Sequence, residues 1–460
     1  MAFADLVKFI PAAGGTADWV YSSVVGGCQS PSAANVRSGL PYRVNAVSSD
    51  LTQWEVSEGI NVSGTTFPRT KVLYNSSGTG TAPGQTGAGS KINFTTVPQV
   101  FVTLLAEDIA SAYAIQPCIR LTLTQGTAVT TSDVTGATSL CLEPYNGDVL
   151  PLFDGISWIA LTVPPSTVSL PATQTQTGTL NGTTAVTGLS DTSQIPSSGV
   201  QVTGTNVPAN TTFMPTGTTT GTLSNAATGS GATSLTFKLP PTTNFDAYGI
   251  ISATGTVKMI WSAAWSNDTT PPTRALQNGI LVAAANPALR LLGSIRTTAT
   301  AGLLEDSEVH CWVSNLYNPQ PRSINVVDTT ATWTYSTQAW RQANANAANQ
   351  ADVIFCVPGG MEVSVAHLFS NSTTTVRNAE TGIGLDRTSQ SDACTSVAGA
   401  SSTVGGTAIL SAKYVGVPGI GRHILTWLEN ASGFDIQTFY GNASTTDGRF
   451  QTGLVGWTLH

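Results

Sequence analysis

The chain has 460 residues, 41% hydrophobic and only 10% charged, with a formal net charge of −7. An average soluble domain carries roughly 25% charged residues, so this surface must be wetted by Thr, Ser, Asn, Gln and backbone. The acidic balance excludes a basic footprint for nucleic acid or anionic lipid, and no run approaches the about 18 apolar residues of a membrane-spanning helix.

This length accommodates roughly two to four domains. With 45 Gly and 24 Pro, the chain is interrupted too often for long helices. The expected fold class is all-β: several β-sandwich or jelly-roll-like domains with short strands and very little helix. The opening, "MAFADLVKFIPAAGG", holds one Lys and no sustained apolar run, so no signal peptide is expected.

Residues 1–115 read as an N-terminal β-domain. "WEVSEGINVSGTTFPRTKVLYNSS" has short apolar alternations broken by turn residues. "VPQVFVTLLAED" puts Val100, Val102 and Leu104 on one face and Phe101 and Leu105 on the other, as a strand covered on both sides would. "AEDIASAY" is one or two helical turns. A central β-domain is expected over 116–165 plus 244–300. In it, Asn146-Gly147-Asp148 and Asp154-Gly155 sit between apolar runs as hairpin signals.

Within that domain, 166–243 reads as an inserted Thr/Gly-rich β-module. From Ser166 to Phe237 the only formal charge is Asp191. "TGTL" occurs twice there, at 177–180 and 220–223, and β-branched Thr suits half-exposed strands. Leu180, Val186, Leu189, Ile195, Val200, Val202, Val207 and Phe213 supply a thin core. Residues 301–460 repeat strand text at regular spacing and read as a C-terminal sandwich or jelly roll. The stretch Trp340 to Phe355 has an Ala/Asn/Gln middle, a short helix or a long loop.

Catalytic constellations are not evident. No Ser has Gly at both −2 and +2, so there is no nucleophile elbow. "GQTGAGSK", Gly84 to Lys91, precedes strand text, whereas a phosphate loop opens a helix. Glu305, Asp306, Glu308 and His310 cluster in "LLEDSEVHC". Glu308 and His310 would share a strand face, the start of a metal site, but an exposed turn beside a polar strand is the simpler reading. His367 and His423 lie in apolar strand runs and are expected to be hydrogen-bonded core histidines, while Asp154 and Asp386 suit turns. Trp312, Trp333, Trp427 and Trp457 alternate within strands and are read as core. The six cysteines, Cys28, Cys118, Cys141, Cys311, Cys356 and Cys394, are widely spaced. They are buried thiols or disulfides of a particle that works outside the cell, with Cys118 and Cys141 the candidate pair across a hairpin. No catalytic, cofactor or metal residue is assigned.

Several of these stretches resemble one family. Trp54, Gly59, Ser63 to Thr66, Arg69, Asn75 to Ser77, Val100 to Thr103 and Glu107-Asp108 follow the pattern of an N-terminal β-module in virion proteins of tailed bacteriophages and prophages. "RLTLTQGTAVTTSDVTGATSLCLEPYNGDVLPLFDGISW", "LLGSIRTTATAGLLEDS" and "VGVPGIGRHILTWLE" resemble later parts of the same proteins, and the Thr repeat resembles a small β-unit of phage surface proteins. The resemblance touches about 80% of the chain, and the insertion departs from the commoner, shorter pattern. It implies a non-catalytic structural component of the virion: a fibre, spike, collar or head-decoration element. Such a component is made in the bacterial host cytoplasm, forms a homo-oligomer, commonly a trimer, and docks to other tail, neck or capsid proteins. A receptor-binding tail fibre or adhesin that grips a host surface glycan or protein is the alternative, and a depolymerase a distant third. Neither cofactor, nucleic acid nor membrane insertion is expected.

Overall fold

The computed structural model describes residues 6–36, 38–39, 41–60, 63–81, 88–103, 118–155, 158–373, 375–401, 404, 406–442 and 452–460. The "AEDIASAY" stretch, Glu107-Asp108 and the first half of "GQTGAGSK" lie outside the described residues. The described chain is all-β: its strands are accompanied by a single 3-10 turn, Ala343–Ala345, in the Ala/Asn/Gln stretch. It divides into two compact units, one made of 1–116, 151–160 and 276–280, the other of the remainder.

The first unit contains β1 (Lys8–Pro11), β2 (Trp19–Val24), β3 (Pro41–Val47), β4 (Trp54–Ile60), β5 (Thr66–Phe67), β6 (Lys71–Asn75) and β7 (Gln99–Val102), in the sheet order β5-β2-β1-β7-β3-β4-β6. One face collects Phe9, Trp19, Tyr42, Val44, Phe67, Phe94 and Val100 into a core. Beside that core, Arg69 and Glu55 form an ion pair with both side chains fully buried. The pair is completed by neighbours: Arg69 Nη1 donates to the Gly15 carbonyl, Glu55 Oε2 accepts from Ile92 N, and the guanidinium lies 4.3 Å from the Trp19 ring.

The chain continues with β8 (Ile119–Thr122), β9 (Val134–Ala137) and β10 (Ser139–Pro144) of the second unit. Then come β11 (Val149–Phe153) and β12 (Trp158–Thr162), mostly within the first unit, and β13 (Val168–Pro171). β10 lies between β13 and β8, while β11 pairs with β12. Asp154-Gly155 therefore joins a hairpin, but Asn146-Gly147 passes the chain from one sheet to another. In the β8–β10 register Cys141 faces Thr122, whereas Cys118 precedes Ile119 at the far end, where its carbonyl accepts from Tyr145 N. Four residues of offset is about 13 Å along the strand. A disulfide needs Cα atoms within about 7 Å, so the expected Cys118–Cys141 pair does not form. None of the six cysteines is in a disulfide.

β14 (Thr173–Asn181), β15 (Ala185–Thr187), β16 (Val200–Gly204), β17 (Thr212–Gly217), β18 (Thr220–Leu223) and β19 (Ser230–Lys238) close into a barrel, ordered β14-β15-β18-β17-β16-β19. Its interior holds Leu180, Val186, Val200, Val202, Phe213, Leu223, Leu235 and Phe237, none more than 3% exposed. The two "TGTL" copies lie on β14 and β18, and both pair with β15. In each copy Gly and Leu point inward and the threonines outward. The inward glycines leave room for large neighbours: a Cβ at Gly221 would sit 2.1 Å from the Phe213 ring. The repeated text is thus the code for two strands flanking one partner in a barrel too narrow for a full set of large side chains. Closure also leaves no edge to protect, so charge is not needed there.

Next come β20 (Asn244–Ile251), β21 (Val257–Trp261), β22 (Arg274–Gln277), β23 (Ile280–Ala283), β24 (Asn286–Arg296), β25 (Leu304–Asp306), β26 (His310–Cys311) and β27 (Val313–Asn315). β20 pairs with β21 and β24, and β24 with β27. Asp246 on β20 is fully buried and meets Arg274 at 2.7 Å, with Trp265 Nε1 and Ser294 Oγ also donating to it.

The C-terminal sandwich is built from β28 (Pro321–Val327), β29 (Thr332–Tyr335), β30 (Arg341–Gln342), β31 (Gln350–Phe355), β32 (Met361–Asn371) and β33 (Arg377–Leu385). It continues with β34 (Thr395–Val397), β35 (Gly399–Ser401), β36 (Thr407–Gly416), β37 (Gly421–Ala431), β38 (Gln437–Tyr440) and β39 (Gly453–Leu459). One sheet runs β26-β31-β37-β33-β35 and the other β28-β39-β32-β36-β34, with β38 also on β32. Ile324, Val353, Val363, Val365, Phe369, Ile383, Leu410, Leu425, Trp427 and Leu454 fill the space between them.

Candidate functional site

The acidic cluster at 305–310 separates into structural contacts. Glu305 accepts from His310 Nδ1 and Ser307 Oγ, each at 2.8 Å. Burial alone would raise its carboxyl, but the bonds from His310 and Ser307 outweigh it and hold the group below the usual range. Asp306 turns toward Arg322 instead, and burial pushes its carboxyl up to about 6 despite the Arg322 and Arg120 guanidiniums. Glu308 donates its backbone N–H to Asp133, and the His310 ring stacks on Trp312 at 4.2 Å. Glu305 and His310 close on each other while Asp306 turns away to Arg322, so the acidic side chains do not converge on one point. Among the described residues, no group of three His, Cys, Asp or Glu is placed to hold a metal ion.

His423 has both ring nitrogens engaged, Nδ1 at 2.8 Å from Asp386 Oδ2 and Nε2 at 3.1 Å from the Gly419 carbonyl. Burial opposes its charged form, but the two acceptors prevail and raise its pKa above the ordinary value. Both ring nitrogens are therefore turned to protein acceptors, and neither faces a position that a substrate could occupy. Beside it Arg422 bridges Asp352 at 2.6 Å and Asp268 at 3.0 Å, and Asp268 also binds Arg296 at 2.7 Å. This chain of alternating charges ties the loop at 268 to β24 and β37.

His367 differs from the hydrogen-bonded histidine expected from the sequence. It is fully buried, and neither ring nitrogen has a hydrogen-bond partner among the described residues. It sits among Trp427, Phe439 and Trp333, with ring centroids at 4.8, 4.9 and 5.3 Å. Desolvation drives its pKa down to about 3, with only Asp328 opposing. The ring is a neutral packing element. Trp312, Trp333 and Trp427 are buried as expected, but Trp457 is 38% exposed, on the outside of the sandwich.

That outer face is the surface the sequence did not single out. On β28-β39-β32-β36 the outward residues fall in aligned rows: Ser323, Trp457, Glu362, Val415; then Asn325, Val455, Ser364, Lys413; then Val327, Gly453, Ala366, Ser411. Alternation of the strand explains the pattern, since the residues between them face the core. Val327, Val455 and Val415 are 42%, 47% and 51% exposed, and Ile409, one row on, is 68% exposed. The two charged residues of these rows, Lys413 and Glu362, bind each other at 2.6 Å. The face therefore mixes exposed Val, Ile and Trp side chains with Ser and Asn, and its two charges neutralise each other. Periodicity alone could not reveal it, because both faces of these strands carry apolar residues and only the partner sheet decides which is covered.

No family model matches this chain, and no curated protein matches it either. Among solved structures, it is similar to the structure of the infectious bursal disease virus Gx strain at 12% identity. That match covers 63% of this chain and 71% of that one, with a TM-score of 0.17. It is also similar to a mutant VP2 protein of infectious bursal disease virus in derived T=1 particles, at 11% identity, covering 65% and 76% of the two chains with a TM-score of 0.18. Likenesses at these scores assign neither a fold family nor a role.

Proposed function

We propose that this chain is a non-catalytic structural component of a viral particle, assembled through its β-rich domains with further copies of itself. The observation that carries this reading is the outer face of β28, β39, β32 and β36, where exposed Val327, Val415, Ile409, Val455 and Trp457 surround a Lys413–Glu362 pair that neutralises itself. A second copy meeting that face encounters no unpaired charge on it, so like meets like without repulsion. Four strands at about 4.8 Å and seven residues at about 3.4 Å give a patch of roughly 450 Å². A stable interface uses about 800 Å² per partner, so this patch acts together with further contacts, as in a closed ring. The closed barrel and the satisfied buried ion pairs suit a rigid part that must last rather than turn over. The finer reading, a fibre, spike, collar or decoration element of a tailed phage, rests on the sequence resemblance of Trp54 to Asp108 and the later stretches. Sedimentation of the purified chain, with peptide mass spectrometry of the purified particles it would belong to, tests both levels. A monomer at all concentrations, or a chain missing from the particles, would end the reading.

A further inference from the structure

At one end of the C-terminal sandwich the start of β33, the end of β37 and the turn after it enclose a groove of about 330 Å³. Its working groups are Gln338, Arg377, Glu380, Asn430, Ser432 and Phe434. Phe434 is 78% exposed, the most exposed large apolar side chain among the described residues. Its ring is braced by Arg377, whose guanidinium carbon lies 5.4 Å from the ring centre while Asp435 binds the guanidinium. Across the β33–β37 register Glu380 faces Asn430, whose Nδ2 donates to Glu380 Oε2 at 3.2 Å and fixes the carboxylate's orientation.

From this arrangement we infer that the groove is a binding site for a neutral pyranose sugar, a property the structural role does not require. Three features select that ligand class. An apolar ring held open to solvent is costly unless it meets an apolar face, and the C–H face of a pyranose is one that stays soluble. The surrounding amides, carboxylate, guanidinium and hydroxyl both donate and accept, which matches sugar hydroxyls that do the same. The volume falls in the range of about 300–1,000 Å³ typical of small-ligand sites.

The alternatives fit less well. A peptide adding as a strand would need a free backbone edge. Here β33 is already flanked by β37 and β35, and Ala431 N donates to the Thr337 carbonyl. An anionic sugar would meet the Glu380 carboxylate, and among the described residues lining the groove the one cation, Arg377, is already neutralised by Asp435.

The test is saturation-transfer NMR on the full chain, with methyl hexopyranosides, N-acetylglucosamine and N-acetylgalactosamine as neutral probes and N-acetylneuraminic acid as the anionic one. For a ligand this small, at least one neutral probe should bind with a Kd in the millimolar range, more tightly than the anionic probe. Phe434→Ala should weaken that probe about tenfold by removing the stacking platform, and Glu380→Gln a few-fold by weakening a charge-assisted hydrogen bond. Both positions are exposed, so the variants should keep the parent melting temperature. Lack of transfer from every neutral probe, equal binding by the folded Phe434→Ala variant, or tightest binding of N-acetylneuraminic acid would each overturn the assignment.

Discussion

Replacing His367 by Leu should make the protein more stable at neutral pH and remove a large part of its acid sensitivity. The ring is wholly buried among Trp333, Trp427 and Phe439 with neither nitrogen bonded among the described residues. A buried polar group without a partner costs about 1–3 kcal/mol, and Leu fills a similar volume without that penalty. The pH dependence adds to this. In the unfolded chain the ring titrates near 6.5, whereas burial lowers it to about 3 in the fold. The unfolded state therefore takes up the proton first. The stability linked to this group is complete above about pH 6.5 and is lost as the pH falls toward 3. Between those limits each step of one in pH removes about 1.36 kcal/mol, so the loss reaches about 2 kcal/mol at pH 5 and about 3 kcal/mol at pH 4. His460, lowered to about 4 with its Nδ1 2.8 Å from the Val313 carbonyl, contributes a slope of the same sign. The informative quantity is thus the difference between parent and His367→Leu. Urea unfolding followed by tryptophan fluorescence between pH 7 and pH 4 measures it, since Trp333 and Trp427 report on this very core. Parallel pH profiles for the two proteins, or a variant less stable than the parent at every pH, would refute the reasoning.

Other outcomes follow from the same structure. Val415→Glu adds a charge with no partner to the outer face and should shift assembly toward smaller species in sedimentation. Raising salt to about 1 M, where the Debye length is about 3 Å, should leave parent assembly unchanged, because apolar burial is not screened. Arg69→Ala leaves Glu55 charged and buried with its cation gone, which should destabilise the first unit by about 3–5 kcal/mol in denaturant titration. Gly221→Ala pushes a methyl into the Phe213 ring and should cost about 1–3 kcal/mol, seen as faster proteolysis within 173–238 than in the parent. Thiol titration in denaturant without reductant should count six reactive thiols, in line with cysteines held outside disulfides.

Where chemistry was sought, the text of the sequence brought residues together without saying what each would meet. The stretch 305–310 brings carboxylates and an imidazole together in the chain, yet Glu305 closes on His310 while Asp306 turns to Arg322, because adjacent strand residues point to opposite sides. His367 and His423 sit in similar apolar runs, and only the facing elements distinguish them. β37 and β38 bring aromatics to one, the loop at Asp386 a carboxylate to the other. The groove at Phe434 was invisible for a related reason: its lining comes from three segments, at 338, 376–380 and 430–434, with nothing in common as text.

What the sequence determined by itself is local. Alternation with a period of two, β-branched threonines and frequent Gly and Pro dictate short strands, and in "TGTL" they even specify which side faces inward, because each residue's preference agrees with its neighbours. What only the tertiary structure decided is non-local: that β28 pairs with β39 more than 120 residues later, that β14 and β19 meet to close a barrel, and that one apolar face of the sandwich is covered while the other stays bare. A strand's hydrogen-bonding groups are the same on every strand, so the pattern along the chain fixes that a segment is extended and two-sided. Which neighbour satisfies it depends on the packing of all the others at once.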